Sequence, residues 1–110
     1  AMTANIDENL GRLDGFLREN GLHENTILIF MTDNGTATGD PVFNAGMRDK
    51  KIGLYDGGHR VPFLVRWPAR VRPAVSDQLV CLTDVFATCA EILGVQLPDE
   101  AGEEGAGAGG

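Results

Sequence analysis

Apolar residues recur at helical spacing over residues 3–20, where Ile6, Leu10, Leu13 and Leu17 form one stripe. Thr3 or Asn5 can cap the start of that helix, Asp7 and Glu8 suit its positive end, and Gly21 is placed to close it. Gly11 and Gly15 lie inside it, which predicts close packing against a neighbour. The period then changes. Thr26-Ile27-Leu28-Ile29-Phe30-Met31-Thr32 is a nearly continuous apolar run rich in β-branched residues, the pattern of a strand buried on both faces. Residues 33–41 read as a loop and 42–58 stay irregular. A second strand spans Val61–Pro68, framed by prolines. Thr83 is expected to cap a helix over 84–93 that turns Val85, Phe86, Cys89 and Leu93 to the core and ends at Gly94. The order helix, strand, long loop, strand, helix predicts an α/β fold, with helices packed on a mainly parallel sheet. Two strands make an incomplete layer, so the chain reads as part of a larger domain with open sheet edges that favour a partner, a homo-oligomer or a domain swap. Residues 1–97 form the expected domain, and 98–110 an acidic Gly/Ala-rich tail expected to be disordered.

Charge adds a division that hydropathy does not show. Residues 1–44 hold two arginines against seven acids, residues 45–75 seven bases against two acids, and residues 76–110 seven acids and no base. A basic middle in an acidic chain is either an anion site or a face that pairs with its flanks. The net charge of −7 argues against a nucleic-acid binder. No apolar run approaches the roughly 20 residues of a membrane span. Ala1–Leu10 is polar and lacks the apolar centre of a signal peptide, and compartment is left open. Cys81 and Cys89, eight apart, match no zinc or redox spacing and are read as two small buried hydrophobes.

Two stretches carry candidate chemistry. Asp33-Asn34-Gly35 follows the first strand directly, and ligands of open α/β sheets bind beyond strand carboxyl ends. A carboxylate beside an amide oxygen suits Ca²⁺ or Mg²⁺, although the same tripeptide also makes an ordinary Asx turn. The second stretch is Lys51-Ile52-Gly53-Leu54-Tyr55-Asp56-Gly57-Gly58-His59-Arg60-Val61-Pro62. Its lysine can serve as a point charge for a tetrahedral oxyanion or simply as a solvated loop cation. Arg60 is placed to brace Asp56 or Asp33, and His59 reads as a turn or surface histidine.

In register, four blocks resemble the formylglycine-dependent sulfatases of the alkaline-phosphatase-like superfamily. They are the helix Ala4–Gly21, the strand ending Thr32-Asp33-Asn34-Gly35, the stretch from Lys51 to Phe63, and Leu82-Thr83-Asp84-Val85-Phe86-Ala87-Thr88 closing at Leu93-Gly94. The resemblance implies the C-terminal portion of a sulfatase catalytic domain, acting on a sulfate ester with one divalent cation. By it, Asp33 and Asn34 are two oxygen ligands of Ca²⁺ or Mg²⁺, Lys51 binds a sulfate oxygen, and Asp33 also helps orient the nucleophile. Asp56 stands where the family usually has Glu, which alters the reach of that brace. The family's nucleophile is formylglycine made from the Cys or Ser of a C-x-P-x-R run. Cys81, Cys89 and Ser76 do not begin such a run, so formylglycine is expected in a preceding part of the polypeptide and this chain is expected to be inactive alone. Two other readings stay open: part of a superfamily phosphodiesterase or phosphonate hydrolase, and a noncatalytic metal-binding or oligomerising module.

Overall fold

In a computed structural model, which describes residues 2–97, the described residues divide into two compact units, one ending at Val75 and one beginning at Ser76, and the tail expected over 98–110 lies outside the described residues. The first unit holds α1 (Met2–Glu19), β1 (Leu28–Met31), α2 (Asp56–His59) and β2 (Phe63–Arg66), and the second holds α3 (Asp84–Leu93).

Helix ends follow local chemistry closely at one terminus and not at the other. Gly21 adopts φ +68, with Leu22 N bonding Leu17 O at 2.8 Å and Gly21 N bonding Arg18 O at 3.1 Å. This is a Schellman closure, and glycine supplies the left-handed residue it requires. Gly94 ends α3 in the same way, at φ +67, with Val95 N on Ala90 O at 2.9 Å. The expected starts are displaced. Helix α1 already begins at Met2, so Thr3 and Asn5 lie inside it and Asp7 and Glu8 fall beyond its first turn. Thr83 is itself helical (φ −65, ψ −27) and makes no capping bond. Asp84 Oδ2 instead accepts from Cys81 N at 2.7 Å, three residues back, and satisfies a donor at the entry to the helix.

The sheet corrects the expected strand direction. Strands β1 and β2 pair antiparallel, with Leu28 opposite Arg66, Ile29 opposite Val65, Phe30 opposite Leu64 and Met31 opposite Phe63. A parallel pair needs a crossover of a dozen or more residues, usually a helix. Between these strands the chain forms only the single turn α2, so the second strand returns beside the first. The strand is also shorter than the apolar run. Thr26 is excluded because its hydroxyl donates to Leu22 O at 2.7 Å, which ties it to the end of α1. Beyond the ladder the two segments stay side by side: Trp67 Nε1 donates to Asn25 Oδ1 at 3.1 Å and Ala69 N to Glu24 O at 2.9 Å.

Burial is sparse. Among the described residues the buried apolar side chains are Leu17 and Ala90, and β1 is half-buried rather than covered on both faces. A two-stranded sheet has too little surface to cover the rest. Of the four residues expected to face a core from α3, Val85 and Cys89 are half-buried while Phe86 and Leu93 are exposed. Cys81 lies before α3, exposed, because the helix starts three residues later; both cysteines are free thiols.

The helical glycines have no close neighbour either. A Cβ at Gly11 or at Gly15 would meet no atom within 4 Å. Close packing is therefore not their role in this chain, and only the backbone cost of glycine remains. Gly11→Ala and Gly15→Ala are each expected to stabilise the chain by about 1 kcal/mol, read as a higher urea midpoint with an unchanged slope.

Candidate functional site

Strand β1 delivers its carboxyl end to Asp33-Asn34-Gly35, and the loop that follows is joined to the later glycine-rich stretch by main-chain bonds. Gly35 N donates to Gly58 O at 2.9 Å, and Lys51 N donates to Thr36 O at 2.8 Å. Gly57 N donates to Arg48 O, Gly58 N to Tyr55 O and Gly53 N to Lys50 O, each at 2.8 Å. The two stretches picked out by sequence thus meet through their backbones, at separations of 23 and 15 residues along the chain.

Glycine makes the approach possible. A Cβ at Gly35 would lie 1.8 Å from Gly57 O, one at Gly57 2.0 Å from Asp49 O, and one at Gly58 2.1 Å from Gly53 O. Gly57 and Gly58 are buried in the one-turn helix α2. This interlock was not visible in the sequence beyond a count of glycines, since the partners are carbonyls rather than side chains.

The side chains divide into committed and uncommitted groups. Lys50 Nζ lies 3.5 Å from Asp40 Oδ2. The Arg48 guanidinium stacks 3.5 Å from the centre of the Tyr55 ring, a cation–π contact. Arg60 Nη1 lies 3.7 Å from Asp56 Oδ2, an exposed pair one helical turn apart. Among the described residues Lys51 is exposed and has no ion-pair partner, and it is the lysine that its neighbours leave free. The His59 side chain is exposed and has no hydrogen bond or ion pair among the described residues.

Asp33 is exposed and its carboxylate has no partner among the described residues. Asn34 is half-buried. Its Nδ2 donates to Gly35 O at 2.9 Å, which fixes the amide and leaves Oδ1 without a protein donor. Thr32 Oγ1 donates to Asn34 O at 3.2 Å and steadies the same turn. A free carboxylate next in sequence to a held amide is the donor chemistry that a hard cation takes. The described residues gather no group of three or more His, Cys, Asp or Glu around one point.

The first unit holds neither cysteine nor serine. Hydrogen bonding with Thr83 lowers the Cys81 thiol from its ordinary value, and Cys81 is followed by Leu82-Thr83-Asp84-Val85 rather than by a C-x-P-x-R run. Sequence reasoning also missed Asn44, whose two side-chain bonds, to Met47 O at 3.1 Å and Asp49 O at 2.6 Å, bind the loop before Lys51.

Comparison with known proteins bears on what such a site serves. The family model described as Sulfatase matches residues 1–95. The chain is 34% identical over 113 residues to an N-acetylgalactosamine-6-O-sulfatase of Bacteroides thetaiotaomicron, covering 87% of this chain and 21% of that protein. It is 36% identical over 91 residues to an arylsulfatase of Hemicentrotus pulcherrimus, covering 76% of this chain and 16% of that one. It is 34% identical over 98 residues to human arylsulfatase A, with 86% and 19% covered. The chain spans about a fifth of the length of these relatives.

Proposed function

The chain belongs to the sulfatase family, and on that premise we propose that it forms part of a sulfate-ester hydrolase and supplies its cation and sulfate contacts. Asp33 and Asn34 give two oxygen ligands to one divalent cation, Ca²⁺ or Mg²⁺. Lys51 holds a sulfate oxygen. What supports the reading is the pair of main-chain bonds, Gly35 N to Gly58 O and Lys51 N to Thr36 O, that tie the ligand turn to the lysine loop.

The division of labour follows from charge. A cation held by Asp33 and Asn34 would supply Lewis-acid polarisation of the sulfate. The Lys51 ammonium offsets the negative charge that grows on the sulfate oxygens as the S–O ester bond breaks. Because its loop is fixed by backbone bonds before substrate arrives, little reorganisation is needed at that moment. The Asn34 amide, held by Gly35 O, keeps Oδ1 directed to one place. Asp56 and Arg60 pair with each other just before β2, and these two residues and His59 are given structural roles. The ester and the remainder of a catalytic domain are the partners. The latter would cover side chains such as Val42, Ile52 and Leu54, each about nine-tenths exposed.

The test is a set of titrations on the purified chain. Calcium is expected to shift the Asn34 side-chain resonances with a Kd on the order of 10⁻⁴–10⁻³ M, because two protein ligands are a partial shell. Asp33→Ala is expected to weaken this at least tenfold, and sub-micromolar binding that survives the substitution would exclude the site. Lys51→Ala is expected to remove the response to inorganic sulfate and leave the calcium response in place. No turnover of an aryl sulfate is expected from these 110 residues, since none of them begins a C-x-P-x-R run.

A further inference from the structure

We infer that Asn44, which lies outside every motif considered above, is the positioning residue that sets the main chain carrying Lys51; the inference deepens the reading of Lys51 as a sulfate contact and rests on it. The half-buried Asn44 side chain donates from one nitrogen to two carbonyls, Met47 O at 3.1 Å and Asp49 O at 2.6 Å. Its own backbone carbonyl accepts from Met47 N at 2.9 Å. Residues 44–49 are thereby stapled into a bend that ends two residues before Lys51.

That bend needs a staple. Ala45 and Asp49 hold positive φ angles of 50 and 74, and Ile52, on the far side of Lys51, stands at 81. A β-branched residue rarely adopts such a conformation, and it persists only where its surroundings over-determine it. Lys51 lies between two of these residues. The constraints on them are the Asn44 amide before it, the Lys51 N to Thr36 O bond at it, and the Gly53 N to Lys50 O bond after it.

The same staple reaches the ligand turn. Asp49 O, held by Asn44, is the carbonyl against which Gly57 packs, and the adjacent Arg48 O accepts from Gly57 N at 2.8 Å. Gly58 O in turn receives Gly35 N. One amide therefore acts on both halves of the site through the backbone.

The test follows the purified chain by NMR as wild type, Asn44→Asp and Asn44→Ala, measuring amide hydrogen exchange and the response of the Lys51 side chain to inorganic sulfate. Aspartate keeps the shape but places acceptors against two carbonyls, whereas alanine only deletes the donors. Exchange at the Lys51, Gly53 and Gly57 amides is expected to accelerate at least tenfold in Asn44→Asp and by less in Asn44→Ala. Amides of α1 are expected to be unchanged, and the sulfate midpoint at Lys51 to rise at least threefold. Unchanged exchange at those three amides overturns the role of Asn44, and so does equal acceleration throughout α1, which marks general unfolding. A wild-type Lys51 that ignores sulfate while the exchange effect holds overturns the reading of Lys51 and upholds the staple.

Discussion

Gly35→Ala is expected to separate the two loops and abolish the calcium response at Asn34. Its Cβ would fall 1.8 Å from Gly57 O and 2.8 Å from the carbonyl carbon behind it. Both are backbone atoms, so no side-chain rotation relieves the clash. Relief requires the loops to part, which breaks the Gly35 N to Gly58 O bond and pulls on the Gly57 N to Arg48 O bond next to it. Overpacking costs roughly 1–3 kcal/mol and a lost hydrogen bond about 1 kcal/mol more. The substitution is thus expected to cost on the order of 3 kcal/mol in a urea titration, opposite in sign to Gly11→Ala. The pair is informative because the chemical change is identical and only the surroundings differ. Equal stability changes in the two variants would mean that the interlock does not hold the loops together.

That contrast also shows what a linear reading of this chain captures. Gly21 and Gly94 were legible as helix ends because a Schellman closure is local, made between residues three and five apart. The interlock of Gly35, Gly57 and Gly58 was not, since a glycine required by a distant carbonyl looks like any other glycine. Asp33, Asn34 and Lys51 stood out by their place after a strand or within a glycine-rich stretch. That the neighbouring Lys50 is engaged by Asp40, ten residues away, was visible only in the structure. Strand direction failed for a related reason. The apolar run of β1 specifies a strand, but it carries no information on which way its neighbour runs, and here the short α2 turn returns β2 antiparallel. Asn44 gave no signal because its two acceptors are main-chain carbonyls, set by a bend that residue types do not announce.

Asp14→Asn is expected to destabilise the first unit at neutral pH and to do so progressively less as the pH falls from about 4 toward 2. Asp14 sits on α1 and accepts from Arg18 Nε at 2.8 Å on its own helix and from Arg66 Nη1 on β2, while His23 Nε2 lies 3.6 Å away. Hydrogen bonds from Arg18 and then Arg66 lower its carboxyl from 3.8 to about 2. A carboxyl held below its unfolded value stabilises the fold above that value, and the contribution is lost as the pH falls toward the folded one. The window is therefore from about 4 down to about 2. Other carboxylates titrate there as well, so the measured quantity is the gap in urea midpoint between wild type and Asp14→Asn at each pH. It is expected to be constant above pH 5 and to close progressively below 4. Arg66→Met supplies the complementary result. Arg66 Nε and Nη2 are buried without a hydrogen-bond partner, so Asp14→Asn leaves that guanidinium facing a neutral amide oxygen in place of its carboxylate, whereas methionine removes the charge and keeps the apolar stem. Arg66→Met is expected to cost less than Asp14→Asn at pH 7. Since Arg66 lies opposite Leu28 at the start of β1, the pair anchors α1 to the strand pair whose far end presents Asp33. A gap that persisted unchanged to pH 2 would assign the loss to the shape of the amide rather than to the ion pair.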